Sequence, residues 1–198
     1  MLLKPAQQID IAAQHPCFSD EAHDRVGRIH LPVAPRCNIQ CNFCERNMCA
    51  ATETQHPGWT AKLLSVAEAV DLVRSIVRSR PAACPFVVGV AGPGDPLAND
   101  QTFEALGLIH KEYPHLLKCV CTNGLLLEDK LADIVSTGVR ALTVTINAVD
   151  SQTGKSIYSW VSYGGVVHRG EDAVSLLLAK QLSGIKRAAD AGLSIKIN

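Results

Sequence analysis

Three cysteines in one short run, Cys37-Asn-Ile-Gln-Cys41-Asn-Phe-Cys44, constrain this chain more than any other feature. At C-x3-C-x2-C spacing the three thiolates can turn inward on one inorganic centre. Iron–sulfur clusters are held by Cys thiolates, and an electron-transfer cluster takes a full set of four. A structural zinc site is also closed by four ligands, usually paired as C-x2-C. Three thiolates therefore point to an open [4Fe–4S] cluster whose fourth iron is free for an outside ligand. Phe43, beside the last cysteine, is expected to form an apolar wall next to that iron. Three buried structural thiols, or three of four zinc ligands, are the bland alternatives, and the specific spacing argues against both.

The chain has 198 residues and 47% hydrophobic content, enough for one substantial domain with a real core. Its formal net charge is zero, which gives no reason to expect nucleic acid or an acidic membrane surface as a partner. The start, MLLKPAQQID, lacks the basic and apolar regions of a secretory signal, and no apolar run approaches a membrane span. A soluble, cytoplasmic chain is expected. Five of the eight cysteines (Cys17, Cys37, Cys41, Cys44 and Cys49) fall in the first quarter of the sequence. In a reducing compartment such clustering fits metal ligation better than disulfides.

Apolar runs and helical patterns alternate along the chain. Strands are expected over 28–34, 86–91, 116–122, 140–147 and 193–198, with helices over 65–79, 101–111, 128–137 and 173–191. Ser65 with Glu68 three residues on reads as a capping box. Residues 148–170 read as a long connection. This alternation predicts βαβ units around a parallel sheet, with ligands at the carboxyl ends of the strands. The Cys loop, Gly92-Pro93-Gly94-Asp95-Pro96, Thr122-Asn123-Gly124 and Asn147 all fall at that rim. The chain stops at the fifth strand, which suggests a fragment of a longer protein.

Several residues at the rim are candidates for chemistry. The glycines of the GPGDP turn allow a ligand to approach the backbone, and Asp95 could accept from an ammonium group. Cys119 and Cys121 lie two apart on one strand and share a face, from which one could reach a second metal site. Cys49 could do the same. His30 is most simply a core histidine, although imidazole can replace thiolate on iron. Cys17 precedes the first strand and could fold over the mouth. Glu53 could assist protons or thiols, or be a solvated loop carboxylate. Cys84 reads as structural. His15, His23, His56, His110, His115 and His168 have no spacing that suggests a site.

These residues resemble the radical SAM superfamily, and within it the family that matures the nitrogenase cofactor. The resemblance rests on HPCFSDEAH (15–23), RIHLPVAPRCNIQCNFC (28–44), AGPGDPLAN (91–99), TNGLLL (122–127), TVTIN (143–147), IYSW (157–160) and KQLSGI (180–185). It implies an α/β fold, a partial (βα) barrel of radical SAM type truncated after strand five. Residues 1–27 would cover the barrel mouth and residues 28–198 would form the core. Cys37, Cys41 and Cys44 would hold the cluster that cleaves S-adenosylmethionine (SAM). Gly92, Pro93, Gly94, Asp95, Thr145, Asn147 and Ile197 would line the SAM pocket.

The family fuses two [4Fe–4S] substrate clusters into an eight-iron core with a SAM-derived carbide. Carried over, His30, Cys49 and Cys119 would hold one substrate cluster and Cys17 would ligate the other. Cys119 is preferred to Cys121 because the family's thiol stands three residues before the Thr of TNG, here Thr122. Implied partners are iron–sulfur cluster donors, cofactor carrier or scaffold proteins of nitrogenase assembly, and an electron donor such as a ferredoxin or flavodoxin. Two departures stand out. Cys49 lies one residue nearer the Cys loop than the family's next cysteine, and it is followed by ATETQHPG rather than an ESRPG-like run. The chain also ends before the family's last strand and its C-x2-C pair. A radical SAM enzyme with another substrate and a non-catalytic cluster scaffold or carrier are the alternative readings.

Overall fold

The computed structural model describes residues 11–46, 60–80 and 84–198. Five parallel strands form its main sheet: β1 (Gly27–His30), β3 (Phe86–Val90), β4 (Leu117–Thr122), β5 (Val139–Val144) and β8 (Ser194–Ile197), in the order β1-β3-β4-β5-β8. A crossover separates each from the next, and helices α2 (Val66–Ser79), α3 (Asp100–Glu112), α4 (Leu131–Ser136) and α6 (Gly170–Asp190) occupy those crossovers. The sheet is open, with β1 and β8 at its edges.

Local chemistry accounts for the elements. Ser65 caps α2, accepting from Glu68 N, while Glu68 accepts from Ser65 N at 2.8 Å. All five residues of β3 are buried, in keeping with its continuous apolar run at the middle of the sheet. In β4 burial alternates. Lys118, Val120 and Thr122 are buried under the helices, whereas Cys119 and Cys121 line the open face. The main core joins Leu31, Val70, Val73, Val88, Val90, Leu106, Ile109, Leu142 and Val144, uniting the sheet with its helical layer.

The 148–170 segment differs from the expected connection. It contains a helical turn, α5 (Ser151–Gly154), and a hairpin of β6 (Tyr158–Tyr163) and β7 (Val166–His168). With β2 (Ile39–Cys41) these strands form a separate antiparallel sheet in the order β2-β6-β7. A second core of Ile39, Leu125, Tyr158, Val161, Ala173, Val174 and Leu177 fastens this sheet to α6. The first strand is also shorter than expected. After His30 the backbone leaves the sheet, and Ala34 returns only as an isolated bridge to Pro93. Pro32 and Pro35, which lack amide donors, explain the break. Before β1, α1 (Asp20–His23) is capped by Ser19. No helix among the described residues is long and apolar enough to cross a membrane.

Candidate functional site

The Cys loop is held from both sides. Below it, Gly94 N donates to Ala34 O and Asp95 N donates to Arg36 O at 2.9 Å. A Cβ on Gly94 would overlap the Arg36 carbonyl, so only glycine lets the turn pack against the loop backbone. Asn99, 1% exposed, clamps the same point: its Oδ1 accepts from Arg36 N, and its Nδ2 donates to Arg36 O and Asp95 O. Above the loop, β2 pairs with β6, placing Cys41 opposite Tyr158. Gln40 Nε2 spans the loop, donating to Cys41 O and Cys44 O. Cys37 and Cys41 pack against the second core. Phe43 is 63% exposed and forms no wall here, so the apolar surroundings come instead from Ile39, Tyr158 and Val161.

The thiols crowd one another. Burial, then the charges of Cys37 and Cys44, push the Cys41 thiol up to about 12. Burial and Asp95 raise Cys37, although the Ile39 amide donates to its sulfur. Such thiols ionise only when a cation joins them, and metal binding releases their protons. No three His, Cys, Asp or Glu among the described residues converge as they would on one ion. A cubane places each thiolate on a different iron, so this donor set fits a cluster better than zinc.

Asp95 is a junction. Its buried carboxylate accepts from Leu97 N at 2.9 Å, Asn123 N at 2.6 Å and Thr122 Oγ1 at 2.8 Å. Both oxygens are thus engaged by the protein, and burial still holds the group above the usual carboxylate range. Asn123 carries the link onward, donating to Asn38 Oδ1 at 2.7 Å and approaching Cys37 Sγ at 3.9 Å. Thr145 hydrogen-bonds Cys121, and Asn147 hydrogen-bonds the Tyr158 hydroxyl through backbone and side chain. Gly92 follows β3, Pro93 makes the bridge to Ala34, and Ile197 is an exposed residue at the end of β8.

A second group forms on the open face. His30, Gly89 and Cys119 occupy one row across β1, β3 and β4. Gly89 has no side chain to separate the other two. Cys17 approaches from above: Arg28 donates to its sulfur at 3.1 Å and Lys196 Nζ to its carbonyl at 3.0 Å. Burial, then the nearby Cys17 and Cys121, push Cys119 up to about 12, opposed by Arg28. Burial above all, then Arg28, keeps His30 below the usual histidine value, which preserves an imidazole lone pair at neutral pH. Cys49 and Glu53 lie outside the described residues. Cys84 is exposed, away from both groups.

Gly89, Asn99, Arg28 and His15 make contacts around these groups that the sequence pattern does not announce. Asn99 lies within the AGPGDPLAN segment and His15 within HPCF. Their contacts depend on partners brought together by the fold.

The chain matches the radical SAM superfamily over residues 31–198. Among curated relatives, the FeMo cofactor biosynthesis protein NifB of Methanocaldococcus infernus is 43% identical over 93% of this chain and 60% of that protein. NifB of Methanocaldococcus jannaschii is 43% identical over 95% of this chain and 62% of that protein. NifB of Klebsiella pneumoniae is 44% identical over 96% of this chain and 40% of that protein. The chain therefore spans less than two thirds of the length of these relatives. A solved structure described as native anSMEcpe with bound AdoMet aligns with a TM-score of 0.51 at 15% identity. The alignment covers 87% of this chain and 43% of that one, a likeness of fold alone.

Proposed function

The chain belongs to the radical SAM superfamily, and on that premise we propose that it serves in a SAM-dependent enzyme of nitrogenase cofactor biosynthesis. In this reading Cys37, Cys41 and Cys44 hold a [4Fe–4S] cluster. When bound, that cluster supplies the electron for reductive cleavage of SAM. Gly92, Pro93, Gly94, Asp95, Thr145, Asn147 and Ile197 line the SAM pocket. Asp95, its oxygens engaged by Leu97, Thr122 and Asn123, acts by holding the turn and the Asn123 backbone in place.

The substrates are two [4Fe–4S] clusters, joined into an eight-iron core around a SAM-derived carbide. His30, Cys119 and Cys49 take one substrate cluster, and Cys17 supplies a ligand to the other. His30 offers its neutral imidazole to iron, Cys119 gives up its proton on binding, and Arg28 steadies the Cys17 thiolate. Glu53 assists proton or thiol movement. Residues 1–27 cover the mouth of the core formed by residues 28–198. The setting is cytoplasmic. Partners are a cluster donor, a carrier or scaffold protein of nitrogenase assembly, and a ferredoxin or flavodoxin as reductant.

The observation that carries this reading beyond the superfamily is the meeting of His30 and Cys119 across Gly89, apart from the three-Cys loop. The test is anaerobic reconstitution with iron and sulfide, followed by iron analysis and low-temperature EPR with and without SAM. The expected result is a SAM-responsive signal, formation of 5′-deoxyadenosine, and additional iron lost on His30→Ala or Cys119→Ala. Iron confined to the SAM-responsive cluster would leave a radical SAM enzyme with another substrate. Absence of SAM cleavage would leave a scaffold.

A further inference from the structure

His15 is 1% exposed, and its two ring nitrogens have different fates. Nδ1 lies 3.1 Å from the Cys17 backbone nitrogen and accepts a hydrogen bond from it. That bond fixes the tautomer: Nδ1 presents a lone pair, so Nε2 carries the hydrogen. Nε2 is buried and has no hydrogen-bond partner among the described residues. A buried donor without an acceptor bears its full desolvation penalty, so such groups call for an explanation.

The surroundings indicate what the missing acceptor is. Phe18 packs on the ring with centroids 4.5 Å apart. The charged or titratable groups near the ring are Arg28, Lys196 and His30. Arg28 and Lys196 also line a cleft of about 660 Å³ at Cys17, together with Asp20 and His23. Two permanent cations against one carboxylate, beside a thiol and next to a buried donor, suit a ligand that is anionic and rich in acceptors. Iron–sulfur clusters meet this description, because their sulfides accept hydrogen bonds and such bonds tune their potential.

We propose that His15 donates from Nε2 to a sulfide of the iron–sulfur substrate held at Cys17, as a binding residue that is not an iron ligand. The inference rests on the reading of Cys17 as a cluster ligand. The side chain then has two tasks on opposite edges of one ring. Nδ1 shapes the turn that presents Cys17, and Nε2–H grips the substrate.

His15→Asn separates these tasks. An asparagine oxygen at this position can accept from the amide two residues on, as in an Asx turn, so the loop is retained. The shorter side chain withdraws the distal donor. The full chain would be reconstituted anaerobically as parent, Cys17→Ala, His15→Asn and His15→Ala. Iron content, EPR spectra and the midpoint potential of the Cys17-dependent signal would be measured. The SAM-responsive signal and the thermal midpoint serve as controls for folding.

The expected result is that Cys17→Ala abolishes one signal. His15→Asn, with both controls unchanged, lowers the midpoint potential of that signal or loses its iron. Loss of iron in Cys17→Ala with parental iron and potential in His15→Asn would overturn the inference alone. Parental iron and spectra in Cys17→Ala would overturn the cluster assignment at Cys17, and the inference with it.

Discussion

His30 and Cys119 face each other across a glycine: a Cβ built on Gly89 would stand 2.9 Å from Cys119 Sγ and 3.3 Å from His30 Cδ2. In the proposed assignment, the vacant position between them belongs to the substrate-cluster site. Gly89→Ala is expected to push the two ligands off their shared approach while adding only one methyl group to a buried strand. Disturbing residues that support a metal site costs about 10–100-fold in metal affinity. Iron beyond the SAM-responsive cluster should fall accordingly, with the SAM-dependent EPR change retained. Equal iron in variant and parent would show that the row is not a ligand site.

Asn99 secures the backbone immediately before Cys37. Asn99→Ala removes three hydrogen bonds and strands the Arg36 amide in a partly buried setting, while the Arg36 carbonyl keeps the Asp95 amide. A loss of about 1–3 kcal/mol is expected, the cost of leaving a buried polar group unpaired. Chemical denaturation checks the stability. The SAM-responsive signal should also weaken, because the first ligand of the loop loses its anchor.

Asp95 accepts at both oxygens, so Asp95→Asn must turn an amide donor toward Thr122, Leu97 or Asn123. Hydrogen bonds to a charged group contribute about 1.5–3 kcal/mol, and a loss of that order is expected. The variant should also bind SAM more weakly, because the Asn123 amide loses its acceptor and the proposed pocket lining shifts. Equilibrium SAM binding to reconstituted protein checks this.

The legible and illegible parts of this chain differ in range. Ser65 and Glu68 announce their helix because the cap is made within four residues. The buried β3 is legible because its apolar run needs no partner to identify it. The β6–β7 hairpin, expected only as a connection, does carry a local signal. Tyr158–Tyr163 has strand-like composition, and Gly164-Gly165, both at positive φ, join it to Val166–His168 in a two-residue turn. The His30–Gly89–Cys119 row has no such signal. It depends on the parallel register of three strands separated by long crossovers, and no local pattern encodes that offset. The loop of Cys37, Cys41 and Cys44 is conspicuous from spacing alone, whereas the Asn99 clamp on Arg36 and the His15 bond to the Cys17 amide are contacts that only the folded chain creates.

Glu68 supplies a pH-dependent contribution. Its hydrogen bonds, from Lys62 first and then Ser65, hold its carboxyl down to about 2 from an ordinary value of 4.5. Between those values the unfolded chain binds the proton more readily, so stability rises with pH across the window. The contribution is present above about pH 4.5 and lost as pH falls through 2. Glu68→Gln should therefore lower the thermal midpoint at neutral pH, and the difference from the parent should vanish in strong acid. The exposed position makes the effect small and salt-sensitive.

The pairing of β2 with β6 has a consequence for how a cluster is acquired. Cys41 belongs to a sheet, Ser162 N donates to Asn38 O and Asn42 N to Ile157 O, each at 2.8 Å, and Gln40 ties Cys41 to Cys44. On the proposed reading of Cys37, Cys41 and Cys44 as ligands, the backbone entropy of their loop is spent during folding of the chain, before iron arrives. Capture of the inorganic core then resembles docking into a finished socket rather than folding around a guest, and more of the bond energy between iron and sulfur remains for affinity.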